Sequence, residues 1–124
     1  MGLALTFWGT RGSIPTPGSD TTRSGGNTAC LTVDDGTGHR LILDAGTGLR
    51  ALGRRLEAEK AFTILLSHTH WDHIQGLPFF APLYRTGTAI EVVGPRPEAS
   101  GATLESVLEG QMAPAVFPVP AAAL

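Results

Sequence analysis

The chain has 124 residues, 42% of them hydrophobic, with 9 basic and 11 acidic side chains and a formal net charge of −2. That length suits one small domain, the near-neutral balance gives no global attraction to nucleic acid, and the single cysteine, Cys30, excludes an internal disulfide. No apolar run reaches the roughly 20 residues of a spanning helix, and the first residues lack the basic and apolar regions of a signal peptide. The expectation is a cytoplasmic protein without a membrane partner.

Leu3–Trp8 reads as the first strand, followed by a long loop, residues 9–28, rich in Gly, Ser, Thr and Pro. Loops of that length in a compact domain are usually functional or disordered. Ala29–Val33 and Arg40–Leu43 form a predicted hairpin, joined by a turn with Asp-Gly and Gly signals. Cys30 lies in the apolar alternation of the first arm, as expected of a small buried hydrophobe. His39, in the turn, reads as a solvated histidine. A helix is predicted from Thr47-Gly48 to about Lys60, with Leu49, Leu52 and Leu56 inward and Arg50, Arg54, Arg55, Glu57 and Glu59 outward. Arg55 and Glu59 are spaced for an i,i+4 pair.

Residues 62–67 form a buried strand, and His68-Thr69-His70-Trp71-Asp72-His73 follows directly. Three imidazoles and a carboxylate in six positions are a metal-ligand constellation, because neutral imidazole is the commonest zinc ligand and carboxylate suits hard or borderline cations. The cluster stands at the C-terminal end of a strand, where open α/β sheets place their ligands. Trp71 reads as a packing residue. Asp72 to about Tyr84 is expected to begin as a short helix interrupted by Pro78 and Pro82. Thr88–Val93 reads as a strand, Thr103–Glu109 as a short helix, and residues 111–124 as a Pro-rich extended tail. No repeat and no second domain is visible.

The His-x-His-x-Asp-His run after an apolar strand resembles the signature of the metallo-β-lactamase superfamily. Leu41-Ile42-Leu43-Asp44-Ala45-Gly46 is similar to the superfamily strand ending in Asp-x-Gly. Phe7-Trp8-Gly9-Thr10-Arg11-Gly12-Ser13-Ile14-Pro15, with Gly25-Gly26-Asn27-Thr28, resembles the amino-terminal loop of the branch holding cyclic-phosphodiesterase-like and transfer-RNA 3′-processing-like hydrolases. The fold implied is α/β with mixed sheets, here the amino-terminal half of an αββα sandwich. The resemblance implies two Zn2+ per complete site, with Mn2+ or Fe as alternatives. His68 and His70 would hold the first ion, and Asp72 and His73 the second, with Asp72 also orienting the attacking hydroxide. Asp44 would brace the ligand loop, with Asn27 as a second candidate brace. Asp44 could equally cap the following helix. Gly9, Arg11 and Gly12 are candidate phosphate contacts, since glycines let backbone N–H groups approach an anion and arginine adds a charge-assisted hydrogen bond.

Such a site draws further histidines and a bridging aspartate from downstream, yet no His or Asp follows His73 in this chain. Zinc catalysis needs three protein ligands and an open position. The expectation is therefore one incomplete domain over residues 1–124 that supplies part of the ligands, and its uncovered apolar sheet face predicts a homodimer or pairing with a complementary fragment. The leading functional expectation is a metal-dependent phosphodiesterase acting on a small phosphodiester or nucleotide-like substrate. The alternatives are an RNA 3′-end endonuclease, with nucleic acid not favoured by charge, and a catalytically inactive half-domain or interaction module. Thioester or lactam hydrolysis stays open, because fold does not fix function.

Overall fold

A computed structural model describes residues 2–56 and 58–124; the outward placement expected for Glu57 lies outside the described residues. Five strands form one sheet in sequence order: β1 (Ala4–Gly9), β2 (Cys30–Asp34), β3 (Arg40–Leu43), β4 (Ala61–Leu65) and β5 (Ala89–Val93). The β1–β2 and β2–β3 pairs are antiparallel. The β3–β4 and β4–β5 pairs are parallel, so the mixed sheet expected from the sequence is present.

Strand alternation sorts the side chains onto two faces. Thr32, Ile42, Ile64 and Val92 stand in register on one. Helix α1 (Gly48–Gly53) lays Leu49 and Leu52 into the core there, and Leu56, Leu77 and Phe80 complete it. Phe80 meets Phe62 edge to face at 5.2 Å, and burying each such side chain contributes about 1.5–3 kcal/mol. The other face carries a second row, Phe7–Leu31–Leu43–Leu65–Val93, matched across all five strands. Phe7 is 66% exposed. A sheet apolar on both faces has the patterning of a layer covered on both sides.

Four expectations need correction. The helix predicted to reach Lys60 stops at Gly53. Glycine disfavours helix, and beyond it the chain turns so that Arg55 lies over the Trp8 ring, 5.5 Å from its centroid, while Leu56 still enters the core. The Arg55–Glu59 pair is replaced by Arg40, which bonds both Asp34 and Glu59. After the histidine run, the expected short helix is a series of 3-10 turns at Trp71–His73, Leu77–Phe79 and Ala81–Tyr84, the last two with proline in their first turn. The tail is not extended: α2 (Leu104–Gly110) leads into turns, with Met112 buried and Phe117 packed edge-on against Phe79 at 5.6 Å. Apolar contacts of the tail outweigh the extended preference of its prolines.

Candidate metal centre

The parallel strands β3 and β4 end side by side, with Leu43 opposite Leu65, so Asp44 and Ser67 leave the sheet as neighbours. Asp44 has a left-handed backbone, φ 64°. This turns its carboxylate onto the next loop, where it accepts from the Ser67 N–H at 2.8 Å and from Ser67 Oγ at 2.9–3.0 Å. The same carboxylate lies 3.1 Å from His73 Nδ1. Asp44 does not cap α1; Thr47 occupies that position, without a side-chain cap bond.

Gly46 explains the second half of the Asp-x-Gly run. A Cβ there would stand 2.5 Å from the Asp72 carbonyl oxygen and from Thr28 Oγ1. Only glycine lets the histidine loop approach this closely, and the approach is bonded: Ala45 N–H donates to the His73 carbonyl, and Gly76 N–H to the Ala45 carbonyl. Thr28 and Thr47 exchange reciprocal N–H to hydroxyl bonds at 2.8 Å, tying the end of the amino-terminal loop to the start of α1.

The hydroxyl of Ser67 has one proton to give. With a carboxylate as its acceptor, that proton goes to Asp44, and Ser67 Oγ accepts from His68 Nδ1, 3.0 Å away. A ring held through Nδ1 leaves Nε2 as the nitrogen that can face an ion, as in metal-ligating histidines generally. The His68 ring centroid lies 4.2 Å from that of His73 and 4.6 Å from that of His70. Asp72 Oδ2 stands 3.4 Å from His73 Nε2 and accepts from the Ser13 N–H at 2.8 Å. Partial burial opposes ionisation of Asp72, but the Ser13 N–H and the neighbouring His73 and His68 outweigh it and hold the carboxyl below its usual range.

In chemistry this donor set fits a zinc-type ion. In number it is short: among the described residues no three His, Cys, Asp or Glu side chains close into a metal-ligand group. The geometry gathers His68, His70, Asp72 and His73 with their brace Asp44. It does not bring the Asn27 side chain to the ligands; Asn27 contributes its main-chain carbonyl, which accepts from Thr10 and Arg11 N–H. Gly9 is buried, and a Cβ on it would lie 1.9 Å from the Thr28 carbonyl oxygen, so chain packing rather than phosphate contact accounts for this glycine. Arg11 and Gly12 are exposed. Trp71, expected to pack, is 68% exposed on the turn that carries Asp72.

Sequence reasoning missed Ser67 and Ser13, whose hydroxyl and N–H contact His68 and Asp72. It also missed a cleft of about 710 Å³ flanking His68 and His70, walled by Pro95, Arg96, Pro97 and Glu98. Cys30 is buried, and burial first, then the Asp44 charge, pushes its thiol up to about 12.

The five-stranded mixed sheet with α1 packed on one face is an α/β fold. The chain belongs to the beta-lactamase superfamily domain family, whose model matches residues 39–120. Among curated proteins it is 32% identical over 97 residues to a ribonuclease Z of Pyrobaculum arsenaticum, covering 76% of this chain and 31% of that protein. It is 35% identical over 78 residues to a ribonuclease Z of Pyrobaculum neutrophilum, covering 61% of this chain and 25% of the relative. The chain thus spans a third or less of the length of these relatives. No solved structure matches it significantly. No helix among the described residues is long and apolar enough to cross a membrane.

Proposed function

We propose that the chain carries the amino-terminal part of a metal-dependent hydrolase of phosphodiester bonds. The observation that supports this most is the Asp44–Ser67 brace, which contacts His68 and His73 through Nδ1. His68 and His70 would hold one ion, and Asp72 and His73 a second. Zinc is the first choice for imidazole-rich ligands, with manganese and iron as alternatives. Such ions, when bound, supply Lewis-acid polarisation of a phosphoryl oxygen and acidify water. The protein's own residues orient the donors, and the adjacent cleft offers Arg96 to an anionic substrate.

A second reading, RNA as the substrate, is favoured by the ribonuclease Z relatives and by exposed Trp71 beside the ligands. An aromatic face stacks on any base, a contact worth about 1–3 kcal/mol. That local feature outweighs the charge of −2, which speaks only to global attraction.

The test is hydrolysis of bis(p-nitrophenyl) phosphate and of a 3′-extended RNA, with and without chelator. Metal-dependent turnover that is lost in His68→Ala and Asp72→Ala supports the proposal. Cleavage of the RNA alone, impaired by Trp71→Ala, selects the second reading. No turnover of either by a complete, fully metallated domain that contains this chain contradicts both.

A further inference from the structure

We propose that Ser13 is a positioning residue for Asp72: its main-chain N–H, presented by a left-handed backbone, sets the direction in which that carboxylate faces an ion. The inference rests on the metal-site reading above and assigns the amino-terminal loop a role in it.

Two non-glycine residues among those described have positive φ, Ser13 at 69° and Asp44 at 64°. Each makes a hydrogen bond to the loop of His68–His73 or to the serine that starts it. Left-handed backbone is costly for a residue with a side chain, persists only where its surroundings over-determine it, and clusters at functional sites. At Ser13 the conformation is the centre of a three-residue turn in which Ile14 N–H bonds the Gly12 carbonyl at 2.8 Å, the γ-turn that is rare and strained.

Apolar packing does not hold that turn. Gly12, Ser13 and Ile14 are all exposed, Ile14 to 67%. What the turn does is aim the Ser13 N–H at Asp72 Oδ2 across 59 residues of sequence. The loop behind it is fastened so that it can bear on Asp72. Thr10 and Arg11 N–H both bond the Asn27 carbonyl, and Thr16 N–H bonds the Gly26 carbonyl. A carboxylate turns freely about its last bond. An N–H fixed on one oxygen removes that freedom, as outer-shell partners do for metal ligands generally.

The experiment is zinc affinity by chelator competition, with Co2+ absorption on the same samples. Ser13→Gly and Ser13→Asn keep the N–H and tolerate positive φ, and are expected to match the parent in both readouts. Ser13→Pro removes the N–H and forbids the conformation, and is expected to weaken zinc binding about 10–100-fold and to alter the Co2+ spectrum. Placed in an Asp72→Ala background, Ser13→Pro should cause no further loss, because the two act as one unit. Should Ser13→Pro fail to fold, Ser13→Val, which keeps the N–H but resists positive φ, is expected to weaken binding, with rescue by Ser13→Asn. Parent-like affinity in Ser13→Pro, or in Ser13→Val where that variant stands in, or an equal loss in the Asp72→Ala background, overturns the proposal while the metal reading stands. A parent that takes up no zinc overturns the metal reading and this inference with it.

Discussion

The same trio of side chains occurs at two ends of the sheet. In the β2–β3 turn, His39 Nδ1 lies 3.2 Å from Asp35 Oδ2 and 3.1 Å from Thr37 Oγ1. At the other end, His73 Nδ1 lies 3.1 Å from Asp44 Oδ2 and 3.4 Å from Ser67 Oγ. Pairwise geometry barely distinguishes them. The first trio spans five residues of one turn, and its histidine side chain is 89% exposed. The second is assembled from the ends of two strands and a turn, with His73 and Asp44 side chains 19% and 16% exposed. Water competes with every contact of the first. In the second, His73 and Asp44 are mostly buried while Ser67 is exposed, and two further candidate ligands, His68 and Asp72, stand next to them. A His–Asp–hydroxyl contact becomes a candidate site when long-range topology assembles it and burial protects it.

The sharpest way to break this comparison is to remove the two carboxylates in turn. Asp44→Ala should weaken zinc binding about 10–100-fold, the usual effect of losing an outer-shell partner, whereas Asp35→Ala should leave it unchanged; chelator-competition titration measures both. Asp44→Ala should also cost about 0.5–1.5 kcal/mol of stability in urea unfolding, the net worth of a hydrogen bond, since the Ser67 N–H exchanges its acceptor for water. Next come the hydroxyls. Ser67→Ala frees the tautomers of His68 and should lower zinc affinity by about tenfold, with recovery in Ser67→Thr, while Thr37→Ala has no effect on zinc.

Smaller effects separate the two ends by pH. Burial holds the Cys30 thiol at about 12 against an ordinary 9.0, so its contribution to stability is complete below pH 9 and lost as pH rises toward 12. Iodoacetamide at pH 8 should label Cys30 in urea and leave it unlabelled in the folded chain. The Thr37 hydroxyl and N–H hold Asp35 at about 2, against 3.8. Its contribution is present above pH 3.8 and fades as pH falls to about 2. Thermal melts between pH 5 and 2 should show a shallower acid decline in Asp35→Asn than in the parent.

Much of the fold was legible because the signals were local. The alternation in 29–33 and 40–43 and the apolar run before His68 marked β2, β3 and β4 within a residue or two. The ligand loop was legible because its chemistry is contiguous. The end of α1 was not: Leu49, Leu52 and Leu56 keep helical spacing, and Leu56 is buried as that spacing requires, but it arrives there through a turn. Ser13 was illegible for a different reason. Its side chain is incidental, and what counts is an N–H and a positive φ set by a contact 59 residues away. Trp71 was misassigned because an aromatic residue inside a motif carries the same letter whether it packs or projects.

The most direct test of the central claim, that residues 68–73 are a metal-binding loop braced from β3, is zinc uptake by the parent and by a His68→Ala/His73→Ala double variant, measured by chelator-competition titration. Saturable binding by the parent, lost in the double variant, is the expected result. Equal uptake by the two, or none by the parent, would contradict it.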